Sequence, residues 1–197
     1  MELQTRIWTL DNLEQIDDRE LTLIGAPEIV ASPQGPAVEF NGTDDGIELD
    51  VNPLIDLAEF TVEVIFRPDA DGLPEQRFLH MGEPNSDRLL FETRLTDDGH
   101  WYLDTFISSG VSNRTLLNKG FLHPVGEWYH LAVTCDGKEQ VNFVDGQKEQ
   151  AGPIDYTPAT TGRTSIGVRL NRVCWFKGAI HKVQITPTVL PPADFTR

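Results

Sequence analysis

Between Phe60 and Arg67 the chain alternates without a break. Phe60, Val62, Val64 and Phe66 fall on one side of an extended segment, and Thr61, Glu63, Ile65 and Arg67 on the other. Pro68 stops the strand. The same period of two returns elsewhere. Val38 and Phe40, then Ile47, Leu49 and Val51, mark two half-buried strands separated by Asn-Gly and Asp-Asp-Gly turn chemistry. Leu89–Leu95 places Leu90, Glu92 and Arg94 on one face; Thr96–Gly99 turns the chain, and Trp101–Ile107 pairs back. Trp128–Gly146 holds two strands joined by Asp136-Gly137, a dipeptide that accepts the positive φ of a tight turn, and Asp145-Gly146 turns the chain again. Tyr129, Leu131, Val133 and Cys135 define its first strand's core side, whereas Val141–Val144 leave both faces of the return strand open.

Further strands are expected at 3–10, 21–30, 77–81, 164–168 and 175–185, with Gly178 a bulge or close-packing point. Residues 11–20 read as a polar loop, 54–58 as one short helical turn, 108–126 as a weakly periodic crossing between sheets, and 152–162 as a Pro- and Thr-rich loop. Many short strands with almost no helix signal predict an all-β, two-sheet antiparallel β-sandwich. At 197 residues, with 39% hydrophobic content, 16 Gly and 13 Pro, the chain suits one such domain over 1–197. Residues 1–35 supply N-terminal strands and loops that complete it.

The net charge of −15 sets aside nucleic acid and membrane surfaces as partners. No apolar run reaches the roughly 20 residues of a membrane helix. The N-terminus lacks the basic and apolar regions of a signal peptide, so the chain is cytoplasmic if Met1 is the native start and secreted if a leader was removed. Cys135 and Cys174 read as small, buried, reduced thiols.

Several stretches, in order, resemble the laminin-G-like branch of the concanavalin A-like jelly rolls. A-V-E-F-N-G-T-D-D-G-I-E-L is similar to that branch's opening strand pair, and F-T-V-E-V-I-F-R-P-D to its next core strand. E-W-Y-H-L-A-V-T-C-D-G followed by V-N-F-V-D-G-Q resembles its signature hairpin, and W-F-K-G-A-I-H-K-V-Q-I its final strand, with Leu190–Phe195 its short tail. The resemblance covers roughly residues 36–195. It implies a jelly roll with one curved sheet and a groove or rim where relatives bind ligands, often carbohydrate.

A fold does not fix a function, so the chemistry is read from residues. The Glu-x-Asp-x-Glu run of glucanase relatives is absent, as is the Gln-x-His of the lyases; Trp175-Phe176-Lys177-Gly178 fits the closing strand better than a lyase motif. No Gly-x-Ser-x-Gly appears, and the five histidines (His80, His100, His123, His130, His181) show no zinc spacing. No cofactor is expected. Calcium is possible near Asp44 and Asp45 but not favoured, because turn chemistry explains both acids. His181 stands where related closing strands carry an Asp, and imidazole is a poor calcium ligand.

The expected ligand-binding residues are Glu63, Arg67, Glu92, Arg94, Tyr102, Arg169 and Asn171. If the strands 60–67 and 89–95 share the curved sheet, Glu63, Arg67, Glu92 and Arg94 form one charged patch on its concave side, and carboxylates with guanidiniums suit sugar hydroxyls. Trp101, Tyr102 and Trp175 are candidate stacking platforms, although Trp128 and Trp175 fit structural positions. Arg169, Asn171 and Arg172 occupy a rim loop, and His130 reads as structural. These residues point to a non-catalytic domain that binds carbohydrate or another extended polymer. A glycan hydrolase or lyase built on Glu92, Arg94 and a histidine such as His80 is one alternative; a protein–protein interaction module is the other.

Overall fold

The computed structural model describes residues 4–196. Leu3, where the first strand was expected to start, lies outside them. The strands in chain order are β1 Arg6–Thr9, β2 Gln15–Ile16, β3 Arg19–Glu20, β4 Thr22–Ile24, β5 Glu28–Ser32, β6 Gly35–Asn41, β7 Gly46–Leu49, β8 Phe60–Pro68 and β9 Glu75–Gly82. They continue with β10 Arg88–Leu95, β11 His100–Ser109, β12 Ser112–Leu117, β13 His123–Pro124, β14 Tyr129–Cys135, β15 Glu139–Val144, β16 Gln147–Pro153, β17 Arg163–Ile166 and β18 Lys177–Thr186.

They build two large antiparallel sheets, so the predicted sandwich is the observed fold. The first runs β16-β15-β14-β8-β18-β6-β5, with β1 also on β18; the second runs β12-β11-β10-β9-β17-β7-β4, with β13 on β11. β2 and β3 form a separate ribbon inside the stretch read as a loop.

The alternating faces decide how the sheets meet. Phe60, Val62, Val64 and Phe66 are fully buried, and burial of each side chain contributes roughly 1.5–3 kcal/mol. Opposite them, the second sheet offers Phe78, Leu89, Phe91, Trp101, Leu103 and Ile107 to the same core. Phe66 stacks on Phe78 at 4.7 Å and meets Trp101 edge-on at 5.2 Å. β6 and β7, adjacent in sequence, belong to opposite sheets, so the Gly42–Asp45 turn carries the chain across the core.

Two expectations need correction, and two points that the sequence left open are settled. Residues 54–58 form turns rather than a helical turn, with Ile55 bridged to Ala159. Residues 108–126 stay within the second sheet, since β12 and β13 both pair with β11. Gln147–Pro153 is a strand despite its polar sequence, because it is the edge of the first sheet and pairs with β15 alone. On β15 the core side is Gln140, Asn142 and Val144. Thr105 bridges the two amides across the sandwich, accepting from Gln140 Nε2 at 2.7 Å and donating to Asn142 Oδ1 at 2.8 Å, while Gln140 Oε1 and Asn142 Nδ2 are buried without a partner among the described residues. Phe143 faces outward instead and packs on Phe195.

Gly178 is a close-packing point: with φ at +148°, an added Cβ would sit 2.1 Å from the Arg67 carbonyl oxygen. The bulge in β18 falls three residues later, at His181, where the neighbour on one edge changes from β6 to β1. His181 Nδ1 donates to the Pro36 carbonyl at 2.6 Å and holds that junction. Cys135 and Cys174 are both free, and Cys174 is half-buried rather than buried.

Candidate functional site

The two sheets differ in what covers their outer faces. On the first, Ala132, Phe143 and Phe195 form a small second core that Val141 and Leu190 join, so the C-terminal segment lies over the sheet. Glu63 is sealed beneath that segment. Its carboxylate accepts from His130 Nε2 (2.9 Å), Gln184 Nε2 (3.1 Å), the Thr196 amide (2.7 Å) and the Thr196 hydroxyl (3.1 Å). With 0% exposure it is a structural acid, not a group facing solvent. Arg67, further along the same face, pairs with Glu39 and Asp69 and lies 5.6 Å over the Trp128 ring.

The outer face of the second sheet carries the charge that the sequence placed on β10. Leu90, Glu92 and Arg94 do share that face, and register sets Glu92 opposite Asp104, Arg94 opposite Tyr102 and Leu90 opposite Phe106. On the other side of β10 a β-bulge interrupts the ladder: Phe91 pairs with Leu79, but Glu92 pairs with Arg77. The extra residue, Phe78, turns into the core, and the slip brings Arg77 onto the outer face beside Glu92. The expected four-residue patch therefore does not exist. Glu63 and Arg67 stand on one sheet, Glu92 and Arg94 on the other.

Arg77, Arg88, Leu90, Glu92, Arg94, Asp104, Phe106, Thr115 and Arg169 line an open groove of about 240 Å³ on this face. Its floor is a web of ion pairs. Glu92 sits between two guanidiniums, 3.2 Å from Arg77 Nε and 3.5 Å from Arg94 Nη2. Arg94 also donates to Asp104 Oδ2 through Nε at 2.9 Å and Nη2 at 2.7 Å, and Glu75 bridges Arg77 and Arg94 from the end of β9. Burial, and then the neighbouring Asp104, push Glu92 up to about 7. Burial likewise raises the Asp104 carboxyl. Burial and like charge thus favour the neutral form of Glu92, and Asp104, raised by the same burial, is tied to Arg94.

Of the other expected residues, only Arg169 joins the groove, and the loop after β17 delivers it. Tyr102 is on the right face but is only 8% exposed and does not line the groove. Asn171 is exposed on the same loop, away from the lining. Trp101 is wholly buried and Trp175 half-buried.

His80, named with Glu92 and Arg94 for the enzyme alternative, is a buried brace. Its Nε2 donates to the Glu83 carbonyl at 3.2 Å and its Nδ1 accepts from the Leu170 amide at 3.4 Å, which fixes a neutral tautomer between two loops. Burial lowers its pKa to about 3. Asp45 is likewise engaged by the backbone, accepting from the amides of Ala26 (2.8 Å) and Asn41 (3.1 Å), while Asp44 accepts from the Asn41 side chain (2.8 Å). Arg77, Arg88 and Asp104 were missed. The bulge that exposes Arg77 has no glycine to announce it, and Asp104 alternates correctly on β11 and was legible there.

A laminin G family model, described as the concanavalin A-like lectin/glucanases superfamily, matches residues 41–195. No curated protein matches the chain. Among solved structures, domain 4 of AbnA, a GH43 extracellular arabinanase from Geobacillus stearothermophilus in complex with arabinotriose, superposes with a TM-score of 0.72 at 20% identity over 96% of both chains. The binding domain of Paraclostridial Mosquitocidal Protein 1 gives 0.70 at 15% identity, and the binding domain of Botulinum Neurotoxin DC in complex with SialylT gives 0.69 at 8%. These two matches cover 98% and 97% of this chain but only 51% and 49% of theirs. Likeness at such identities is likeness of fold.

Proposed function

The chain belongs to the concanavalin A-like lectin/glucanases superfamily, and from that premise we propose that it is a non-catalytic carbohydrate-binding domain whose ligand lies on the outer face of the second sheet. One observation carries the reading. Of the two outer faces, the first is closed over Glu63 by the C-terminal segment, while the second presents an open groove of fixed guanidiniums and carboxylates beside Leu90 and Phe106. Sugar recognition needs that mixture: planar, multi-point hydrogen-bond partners for hydroxyls, and apolar surface for the ring's C–H face. Two of the fold's neighbours carry glycan-type ligands by description, arabinotriose in one and SialylT in the other.

Glu92 favours a second reading. A carboxyl raised to about 7 beside a second carboxyl, Asp104 on the adjacent strand, places two acids together as a glycosidase does. The geometry weakens it, because both Glu92 oxygens lie against Arg77 and Arg94 and the residue is 3% exposed. A glycan array followed by product analysis on each hit separates the readings. Binding without turnover is the expected result. Cleavage of a bound glycan supports the hydrolase, and an array with no hits supports a protein–protein module.

A further inference from the structure

Four arginines border the groove, and they are of two kinds. Arg77 and Arg94 are neutralised by Glu75, Glu92 and Asp104. Arg88 and Arg169 form no ion pair among the described residues. Each is fixed through one terminal nitrogen to a backbone carbonyl of the β9–β10 loop: Arg88 Nη1 donates to Ser86 at 2.6 Å and Arg169 Nη2 to Pro84 at 2.7 Å. The other terminal nitrogens, Nη2 of Arg88 and Nη1 of Arg169, have no hydrogen-bond partner among the described residues. Arg88 is held further by stacking over Phe106, its guanidinium carbon 4.8 Å from the ring centroid. His80 braces the loops that carry both carbonyls and Arg169.

Two cations therefore stand near one another on one wall with no ion-pair partner of their own, and the more distant charges of Glu92 and Asp87 offset only part of their repulsion. Burial and the like charges of Arg169 and Arg77 hold the Arg88 guanidinium below its ordinary pKa, so the arrangement is electrostatically unfavourable as it stands. An anion between them relieves that repulsion. Each guanidinium keeps one terminal nitrogen for a ligand, its Nε being buried without a partner, and two such nitrogens suit a group with two acceptor oxygens in a plane. The groove's about 240 Å³ falls below the roughly 300–1,000 Å³ of clefts that enclose drug-sized ligands, so it holds a single sugar unit and leaves the rest of a glycan outside.

We propose that the groove recognises a carboxylate-bearing sugar, a uronic or sialic acid unit, whose carboxylate sits between Arg88 and Arg169 while its hydroxyls meet Arg94 and the exposed Thr115. This inference rests on the carbohydrate reading and specifies its ligand class. The molecule's overall negative charge does not oppose it, since that field is screened beyond about 8 Å at physiological salt while the two arginines act in contact.

The test is calorimetric titration of the full chain with two matched pairs: trigalacturonate against α-1,4-galactotriose, and 3′-sialyllactose against lactose. The acidic member of one pair should bind about tenfold or more tightly than its neutral twin, and the pair that shows the preference identifies the acid. Arg169→Gln, at a half-buried loop position, and Arg88→Gln should each erase most of that preference. An unchanged thermal midpoint in Arg169→Gln shows that the loss is not unfolding. Equal binding of acidic and neutral twins, or a preference that survives both substitutions, overturns the inference and leaves the carbohydrate reading standing. Failure of all four sugars to bind overturns the inference, and an array without hits then removes the broader reading too.

Discussion

Glu92 shows how one residue's surroundings set its chemistry. It alternates outward on β10 as any sheet-face acid does, yet the β9 bulge and the facing Asp104 enclose it almost completely. Glu75, Arg77, Arg88, Arg94 and Asp104 are the charged groups around it. Its carboxyl titrates near 7 in the fold against 4.5 unperturbed. Between those values the folded state holds a proton that the unfolded state has released, so stability falls as pH rises through this window and levels off above it. The full effect is at most about 3 kcal/mol. His80 gives the opposite slope: its folded pKa near 3 lies below 6.5, so it loses stability as pH falls below 6.5. The difference between wild type and Glu92→Gln isolates the first slope. Denaturant unfolding from pH 4.5 to about pH 8 should show the variant gaining on the wild type as pH rises. Parallel profiles would remove Glu92 from the account.

At the scale of elements, the C-terminal segment decides which sheet can bind. Phe195 packs edge-on against Phe143 at 5.2 Å and lies 5.7 Å from the His130 ring, and the next residue completes the shell of Glu63. Phe195→Ala should lower unfolding free energy by about 3 kcal/mol in chemical denaturation, the low end for a buried Phe, while leaving glycan affinity unchanged. Lost affinity with intact stability would place the ligand on the first sheet. This element also marks a limit of the sequence. Alternation located β8, β10, β11 and the β14–β15 hairpin, because each has one face against the core. It misassigned Glu63, because an outward polar residue and a residue sealed under a tail have the same pattern. It missed β16, a polar edge strand with little apolar surface of its own. It could not choose the buried face of β15, where Gln140 and Asn142 point inward because Thr105 of the opposite sheet bonds both.

For the whole molecule, the sandwich follows from local pattern, but the site follows from which strands share a sheet. β8 and β10 carry similar mixtures of acid and arginine, and nothing local to either says that they lie in opposite sheets. That assignment divided the expected patch, closed Glu63 beneath the C-terminal segment, left Arg67 to Glu39 and Asp69, and left Glu92 and Arg94 to be joined by Arg77, Arg88, Asp104 and Arg169. The central claim is that the open outer face of the second sheet binds glycan. Amide chemical-shift mapping of the uniformly labelled chain, titrated with the tightest oligosaccharide from the array, tests it most directly. Saturable shifts should concentrate on Arg77, Arg88–Arg94, Asp104–Phe106 and Arg169. Shifts centred on Arg67, Trp128 and the C-terminal segment, with the β9–β11 face silent, would contradict it.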